Sequence, residues 1–234
     1  NSSAIGGSGS AYFLDDRFTG VANRVFRYGE PADEVYVGDW DGNGTDTLAV
    51  RRGNAFHLKN TTSGGAADTV VFYGDPGDAV FVGDWDGNGT DTLAVRRANT
   101  FYVKNTTTSG VADTVFTYGD PEDTVLVGDW DGNRTDTLVV RRGASYFVKN
   151  ALTTGPADYT FGYGDPGDAV LVGRWTPTQR GDSLAVRRNN IFYLKYTTGY
   201  GPADVVTGYG DPTDTAFTGD WDGDGVDGIG VRRN

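Results

Sequence analysis

The sequence predicts an all-β chain, with five blades of four antiparallel strands closed into one ring over residues 11–234. Three observations predict it. One unit recurs five times at near-constant spacing. No segment carries the 3.6-residue apolar period of a helix. The two ends of the chain read as complementary halves of a single unit.

The recurrence is plain in three tripeptide and dipeptide series. Gly-Asp-Trp begins at Gly38, Gly83, Gly128 and Gly219, with Gly173-Arg174-Trp175 as a variant, so the starts are 45, 45, 45 and 46 residues apart. Val-Arg-Arg begins at Val50, Val95, Val140, Val186 and Val231, and Tyr-Gly at Tyr28, Tyr73, Tyr118, Tyr163 and Tyr209. Residues Gly38 to Arg52 are identical to Gly83 to Arg97. A period of this length matches one four-stranded propeller blade.

Within a unit, the first strand is expected over Val35 to Gly38, ending at Asp-Trp-Asp-Gly. The second spans Thr47 to Arg52, the third Ala55 to Lys59 and the fourth Thr69 to Tyr73. Short runs rich in Val, Thr and aromatic residues favour the pleated conformation. Turn sequences (GDWDGNGTD, RRGN, NTTSGG, YGDPGD) bound each run. The 36 glycines of the 234-residue chain fit this density of turns.

The ends supply the closure. Residues Ala11 to Tyr28 align with the third and fourth strands of the unit, and Thr215 to Arg233 with the first and second. Pairing the halves completes a fifth blade and removes two exposed sheet edges. A monomeric ring is therefore expected in preference to a swapped dimer. Residues 1–10 (NSSAIGGSGS) read as a flexible lead-in.

A net charge of −12 repels phosphate backbones and anionic lipid, so nucleic acid is not an expected partner. No apolar run is long enough to insert in a membrane. With no cysteine, there is no disulfide, no thiolate metal site and no thiol nucleophile.

The densest chemistry follows the first strand: Asp39, Asp41, Asn43, Thr45 and Asp46, then Asp84, Asp86, Asn88, Thr90 and Asp91. The third copy has Asp129, Asp131, Asn133, Thr135 and Asp136, and the last Asp220, Asp222, Asp224, Val226 and Asp227. Oxygen ligands at alternate positions of a glycine-bearing loop can wrap Ca²⁺. The same side chains can instead cap their own turn through backbone N–H groups. Residues 174–182 have lost the acids and are not expected to bind metal, which leaves at most four Ca²⁺ sites.

On these loops the chain resembles the FG-GAP/VCBS repeats, the blades of integrin α-subunit propellers and of many bacterial surface proteins. The resemblance implies calcium held by Asp39, Asp41 and Asn43 side chains and the Thr45 carbonyl, and an extracellular or cell-surface location. The family's closing carboxylate would fall at Thr47, Thr92, Thr137 and Gly228, whereas here the acid stands one residue earlier. The blade count and repeat length also resemble five-bladed tachylectin-type lectins, in architecture alone.

Two further series repeat. Trp40, Trp85, Trp130, Trp175 and Trp221 offer either five platforms for sugar rings or five packing wedges between blades. Alternation sends the two arginines of each Val-Arg-Arg to opposite strand faces. The second members, Arg52, Arg97, Arg142, Arg188 and Arg233, are candidate ligand clamps, with inter-blade ion pairing as the plainer use. His57 aligns with Phe13, Tyr102, Phe147 and Tyr193, an apolar strand position with no catalytic role. Acids that repeat from unit to unit lack the asymmetry of a catalytic constellation. The expected function is a secreted, non-catalytic, multivalent carbohydrate-binding module. The alternatives are an adhesion propeller for a protein partner and a repeat scaffold without ligand.

Overall fold

The computed structural model describes residues 3–234. All regular structure is β. The strands are β1 (Ala11–Asp15), β2 (Arg24–Arg27), β3 (Glu34–Gly38), β4 (Thr47–Arg52), β5 (Ala55–Leu58) and β6 (Thr69–Phe72). The second full unit gives β7 (Ala79–Gly83), β8 (Thr92–Arg97), β9 (Thr100–Val103) and β10 (Thr114–Thr117). The third gives β11 (Thr124–Gly128), β12 (Thr137–Arg142), β13 (Ser145–Lys149) and β14 (Tyr159–Gly162). Then come β15 (Ala169–Gly173), β16 (Ser183–Arg188), β17 (Ile191–Leu194) and β18 (Val205–Gly208), and last β19 (Thr215–Gly219) and β20 (Gly228–Arg233).

Five four-stranded antiparallel sheets form a five-bladed β-propeller. Four are consecutive in sequence, and the fifth is β19-β20-β1-β2, with Ala11 opposite Arg233 and Asp15 opposite Ile229. The first strands of the blades, β3, β7, β11, β15 and β19, touch one another in a closed cycle around the axis. Strand bounds fall within a residue of those expected from sequence, because the turn residues that bound them act locally.

Packing explains why the units recur. Each apolar cluster spans a blade boundary rather than one blade. Tyr36, Trp40, Phe56 and Leu58 of one blade meet Val80, Val82, Leu93 and Val95 of the next. The same set recurs as Phe81, Trp85 and Phe101 against Val125, Val127, Leu138 and Val140. A single four-stranded sheet has no partner for these faces, so the buried apolar area that stabilises the fold exists only between neighbours. Tyrosine hydroxyls reinforce the boundaries, with Tyr28 donating to the His57 carbonyl (2.9 Å) and Tyr73 to that of Tyr102 (2.9 Å).

The lead-in, expected from sequence to be flexible, makes contacts with the ring. Asn1 and Ser2 lie outside the described residues, but Ile5 N–H donates to Val35 O and Gly9 N–H to Pro31 O, both at 2.9 Å. Ala4 and Ile5 pack against buried residues of the inner strands, beside a cavity of about 220 Å³ bordered by Leu126, Leu171 and Phe217. Backbone groups at the axis need partners, and a glycine-rich segment is thin enough to lie there.

Candidate functional site

In the first acidic loop, the Asp39 carboxylate accepts from Asn43 N–H (3.1 Å) and Gly44 N–H (2.7 Å). Asp41 accepts from Asn43 N–H (3.3 Å), and the Asn43 side chain from Thr45 N–H (2.8 Å). Asp84 does the same for Gly87, Asn88 and Gly89, Asp129 for Gly132, Asn133 and Arg134, and Asp220 for Gly223, Asp224 and Gly225. Asn88 and Asn133 repeat the bond of Asn43, reaching the N–H of Thr90 and Thr135, and Asp224 reaches that of Val226. Gly42 and Gly44 hold φ of 71° and 87°, a region a side chain would strain. The loop is a set of nested Asx turns.

The displaced acid has another use. Asp91 N–H donates to Asp39 O (2.8 Å), and its carboxylate accepts Asp39 N–H (2.9 Å). Asp46 makes this reciprocal pair with Asp220 (2.7 and 2.8 Å), Asp136 with Asp84 (2.7 and 3.0 Å) and Asp227 with Arg174 (2.7 and 2.6 Å). Asp182 makes it with Asp129 (2.6 and 2.9 Å), although its own loop has no acids. These five aspartates therefore join blade to blade. The carboxylates of Asp46, Asp91, Asp136 and Asp227, expected from sequence in the cation set of their own loops, are turned to the neighbouring blade's backbone. Sequence reasoning missed this role, and the survival of Asp182 beside a degenerate loop was the signal for it.

Burial drives all five above the ordinary carboxylate range. Asp46 and Asp182 are pushed up to about 6 and Asp136 to about 8. Asp91 and Asp227 are raised well above the usual value, by burial and then by their ring neighbours Asp46, Asp136 and Asp182.

The fit to calcium differs among loops. Only Asp220, Asp222 and Asp224 bring three carboxylate oxygens within 4.8 Å of one another among the described residues. The other three loops offer two carboxylates and an amide, and in all four loops the side chains at these positions already accept backbone N–H groups. Of the four expected sites, the last loop alone brings three carboxylates together among the described residues. Titration calorimetry with CaCl₂ is expected to give a stoichiometry of one or below, abolished by Asp224→Asn. Four equivalent sites would refute this assignment.

The five tryptophans do not form open platforms. Trp40, Trp85, Trp130, Trp175 and Trp221 are all 5% exposed or less and sit against the next blade. Trp85 and Trp130 donate Nε1–H to the Thr92 and Thr137 carbonyls at 3.2 and 3.3 Å. Of the two uses the sequence left open, sugar platform and packing wedge, this burial fits the wedge.

The arginine pairs divide the labour. The first members reach the turn leading into the next blade: Arg51 donates to the carbonyls of Asp75, Pro76 and Asp78, and Arg96 to those of Asp120, Pro121 and Asp123. The second members bind the turn that enters their own blade. Arg52 forks onto Asp33 (2.7 and 2.8 Å), Arg97 onto Asp78, Arg142 onto Asp123, Arg188 onto Asp168 and Arg233 onto Asp214. The pairs are within a blade, not between blades as sequence suggested. These hydrogen bonds hold Asp33, Asp78, Asp123 and Asp168 below the ordinary range. Arg97, Arg142, Arg188 and Arg233 also lie over the rings of Tyr102, Phe147, Tyr193 and Phe13 at 5.0–5.5 Å.

Beside these arginines lies a groove between blades. Tyr28, Val50, Arg52, His57, Gly65 and Ala67 line one of about 470 Å³. Tyr163, Val186, Arg188, Tyr193, Gly201 and Ala203, their repeat equivalents, line another of about 310 Å³. Each wall combines the guanidinium of a forked Arg–Asp pair, an acid of the adjoining turn (Glu30 or Asp165), an imidazole or phenol ring, and small residues. Fold and site together define a five-bladed propeller with hydrogen-bonded acidic turns and repeated inter-blade grooves. No protein-family model matches the chain, and no curated protein does.

Proposed function

We propose that this chain is a secreted, non-catalytic, multivalent binding module whose grooves between blades take carbohydrate. The observation that carries the reading is the recurrence of one groove at equivalent repeat positions. An Arg–Asp pair presents donors and acceptors side by side, which suits the vicinal hydroxyls of a sugar, and an adjacent ring can lie on its apolar face. Weak equivalent sites gain avidity on a polyvalent glycan surface. The likeness of the acidic loops to FG-GAP/VCBS repeats supports an extracellular setting, and the blade count allows comparison with tachylectin-type lectins.

The test is a glycan microarray followed by calorimetry on the best hit. Several sites per chain are expected, and Ala67→Phe and Ala203→Phe, which fill the grooves without touching the ion pairs, should each remove one site. No glycan bound at millimolar concentration, or binding indifferent to both substitutions, would refute the reading. A protein-docking role is favoured by a different observation. Val25, Val70, Phe72, Val115 and Val206 on the outermost strands are 45–60% exposed, on sheet edges free to pair.

A further inference from the structure

The fourth repeat is the one whose acidic loop is replaced, and its changes meet at one place. Gln179 is buried and substitutes for the lost carboxylate. Its Oε1 accepts from Trp175 N–H (3.1 Å), and its Nε2 donates to the carbonyls of Gly173 (3.2 Å) and Gly181 (2.8 Å). With the loop held from inside, a cleft of about 360 Å³ lies between Thr176, Thr178 and Arg180 on one wall and Tyr196, Thr197 and Thr198 on the other. Tyr196 stands where the other full repeats have Asn60, Asn105 and Asn150. Two departures from a near-identical repeat thus line the same cleft.

Arg180 also borders a second cleft, of about 420 Å³, shared with Arg134 and Arg174. Among the described residues, these three guanidiniums have no carboxylate within ion-pair distance, in a chain of net charge −12. Arg174 donates one Nη2–H to the Pro177 carbonyl (2.9 Å), while its buried Nε–H has no partner. The carboxylates nearby are committed elsewhere. Five aspartates line this cleft: Asp84 and Asp129 each accept three N–H groups of their own turns, and Asp91, Asp136 and Asp182 each accept one across a blade boundary. The groups that face the clefts are cationic forks, a phenol ring and threonine hydroxyls, of which Thr176 and Thr178 pair with each other (3.3 Å) and Thr198 accepts from Tyr159 (3.1 Å).

We infer that this double cleft is a single, specific site for a saccharide bearing a carboxylate, of the uronic-acid class. Arg180, between the two lobes, takes the carboxylate in a forked pair. The threonine hydroxyls meet ring hydroxyls, and Tyr196 lies against a sugar face. The site is independent of the repeated grooves, whose ligands need no charge.

The experiment titrates tetragalacturonate, and its fully methyl-esterified form, into the protein by calorimetry at 50 and 300 mM NaCl. One site per chain is expected for the acid, with the ester at least about ten-fold weaker and the acid weakened by salt. Arg180→Ala and Tyr196→Asn should each weaken the acid by about ten-fold or more. Arg180→Ala should leave the melting temperature unchanged, since Arg180 makes no side-chain hydrogen bond in the fold, whereas Tyr196 also packs on the core. Equal binding of acid and ester, several equivalent sites, wild-type affinity in both variants or no binding at millimolar concentration would each overturn the inference. Neutral-glycan capture by the Ala67→Phe and Ala203→Phe proteins is read separately, so failure of one proposal leaves the other standing.

Discussion

Replacing Arg232 with alanine is expected to lower the melting temperature by about 6–12 °C. Its guanidinium is 2% exposed and donates only to carbonyls: Gly9 (2.8 Å), Gly6 (2.7 Å), Asp33 (2.8 Å) and Pro31 (3.2 Å). Charge-assisted bonds in a buried setting are the strong ones, and losing the set costs roughly 3 kcal/mol. The equivalent arginines span boundaries that the chain already crosses covalently. Arg232 ties the last strand to the lead-in and to the turn before β3, and so bridges the two halves of the fifth blade, which no turn joins. Arg232→Lys should recover less than half of the loss, because one ammonium cannot serve carbonyls lying in several directions. Calorimetric or circular dichroism melting of the two variants and of Arg96→Ala measures this directly. A drop under 2 °C for Arg232→Ala, or an equal drop at Arg96, would show that the seam needs no special fastening.

The protein is expected to melt lower at pH 8.5 than at pH 5, against the habit of acidic proteins that ionise to fold. The cause is the ring of Asp46, Asp91, Asp136, Asp182 and Asp227, whose carboxylates face one another, the loop acids Asp39, Asp84, Asp129 and Asp220, and Arg174. Burial first, then like charge, raises all five above 3.8, to about 6 at Asp46 and Asp182 and about 8 at Asp136. Between about pH 4 and 8 the folded chain therefore holds more protons than the unfolded one. The resulting stability is fully present at the low end and lost as the pH rises through the window. Asp33, Asp78, Asp123 and Asp168, lowered by their arginines, act in the opposite sense and lose their contribution only near and below pH 4. One net proton over two pH units is worth about 3 kcal/mol, or about 6–12 °C. Asp136→Asn keeps an acceptor for Asp84 N–H without the charge, so it should raise the midpoint at pH 8.5 and leave pH 5 nearly unchanged. A midpoint that climbs from pH 5 to 8.5, or an asparagine variant weakened at both, would sink the argument.

What could be read beforehand and what could not divide along a physical line. Strand limits, blade count and the seam followed from local turn chemistry and from the register of Ala11–Tyr28 and Thr215–Arg233 against the unit. Features that depend on how one blade sits against the next were hidden. The acid at Asp46 and its equivalents looked like a misplaced cation ligand because its partner, the backbone of the neighbouring loop, is 52 or 53 residues away at most boundaries. Arg51 and Arg96 reach carbonyls of the turn entering the next blade, a partner no local pattern reveals, and Arg51 also pairs with Glu34 at 3.2 Å. Gln179 sits in a stretch with no counterpart in the other repeats, so no comparison could reveal that it holds the loop. The burial of the five tryptophans was one of two open readings, since a wedge and a platform have the same sequence signature.

The pairing of β1 with β20 also sets a schedule for biosynthesis. On the ribosome, β1 and β2 emerge as a lone hairpin, which is marginal in water. Their partner is made roughly 200 residues later, about 10–40 s at ordinary translation speeds. Through that interval four blades can assemble while the ring stays open and the hairpin's free edge waits. A second nascent chain nearby offers the same β20 to that edge, so crowded polysomes favour exchange of half-blades between chains. Spacing between translating ribosomes, more than the equilibrium stability of the finished ring, would then decide how much of the product closes on itself.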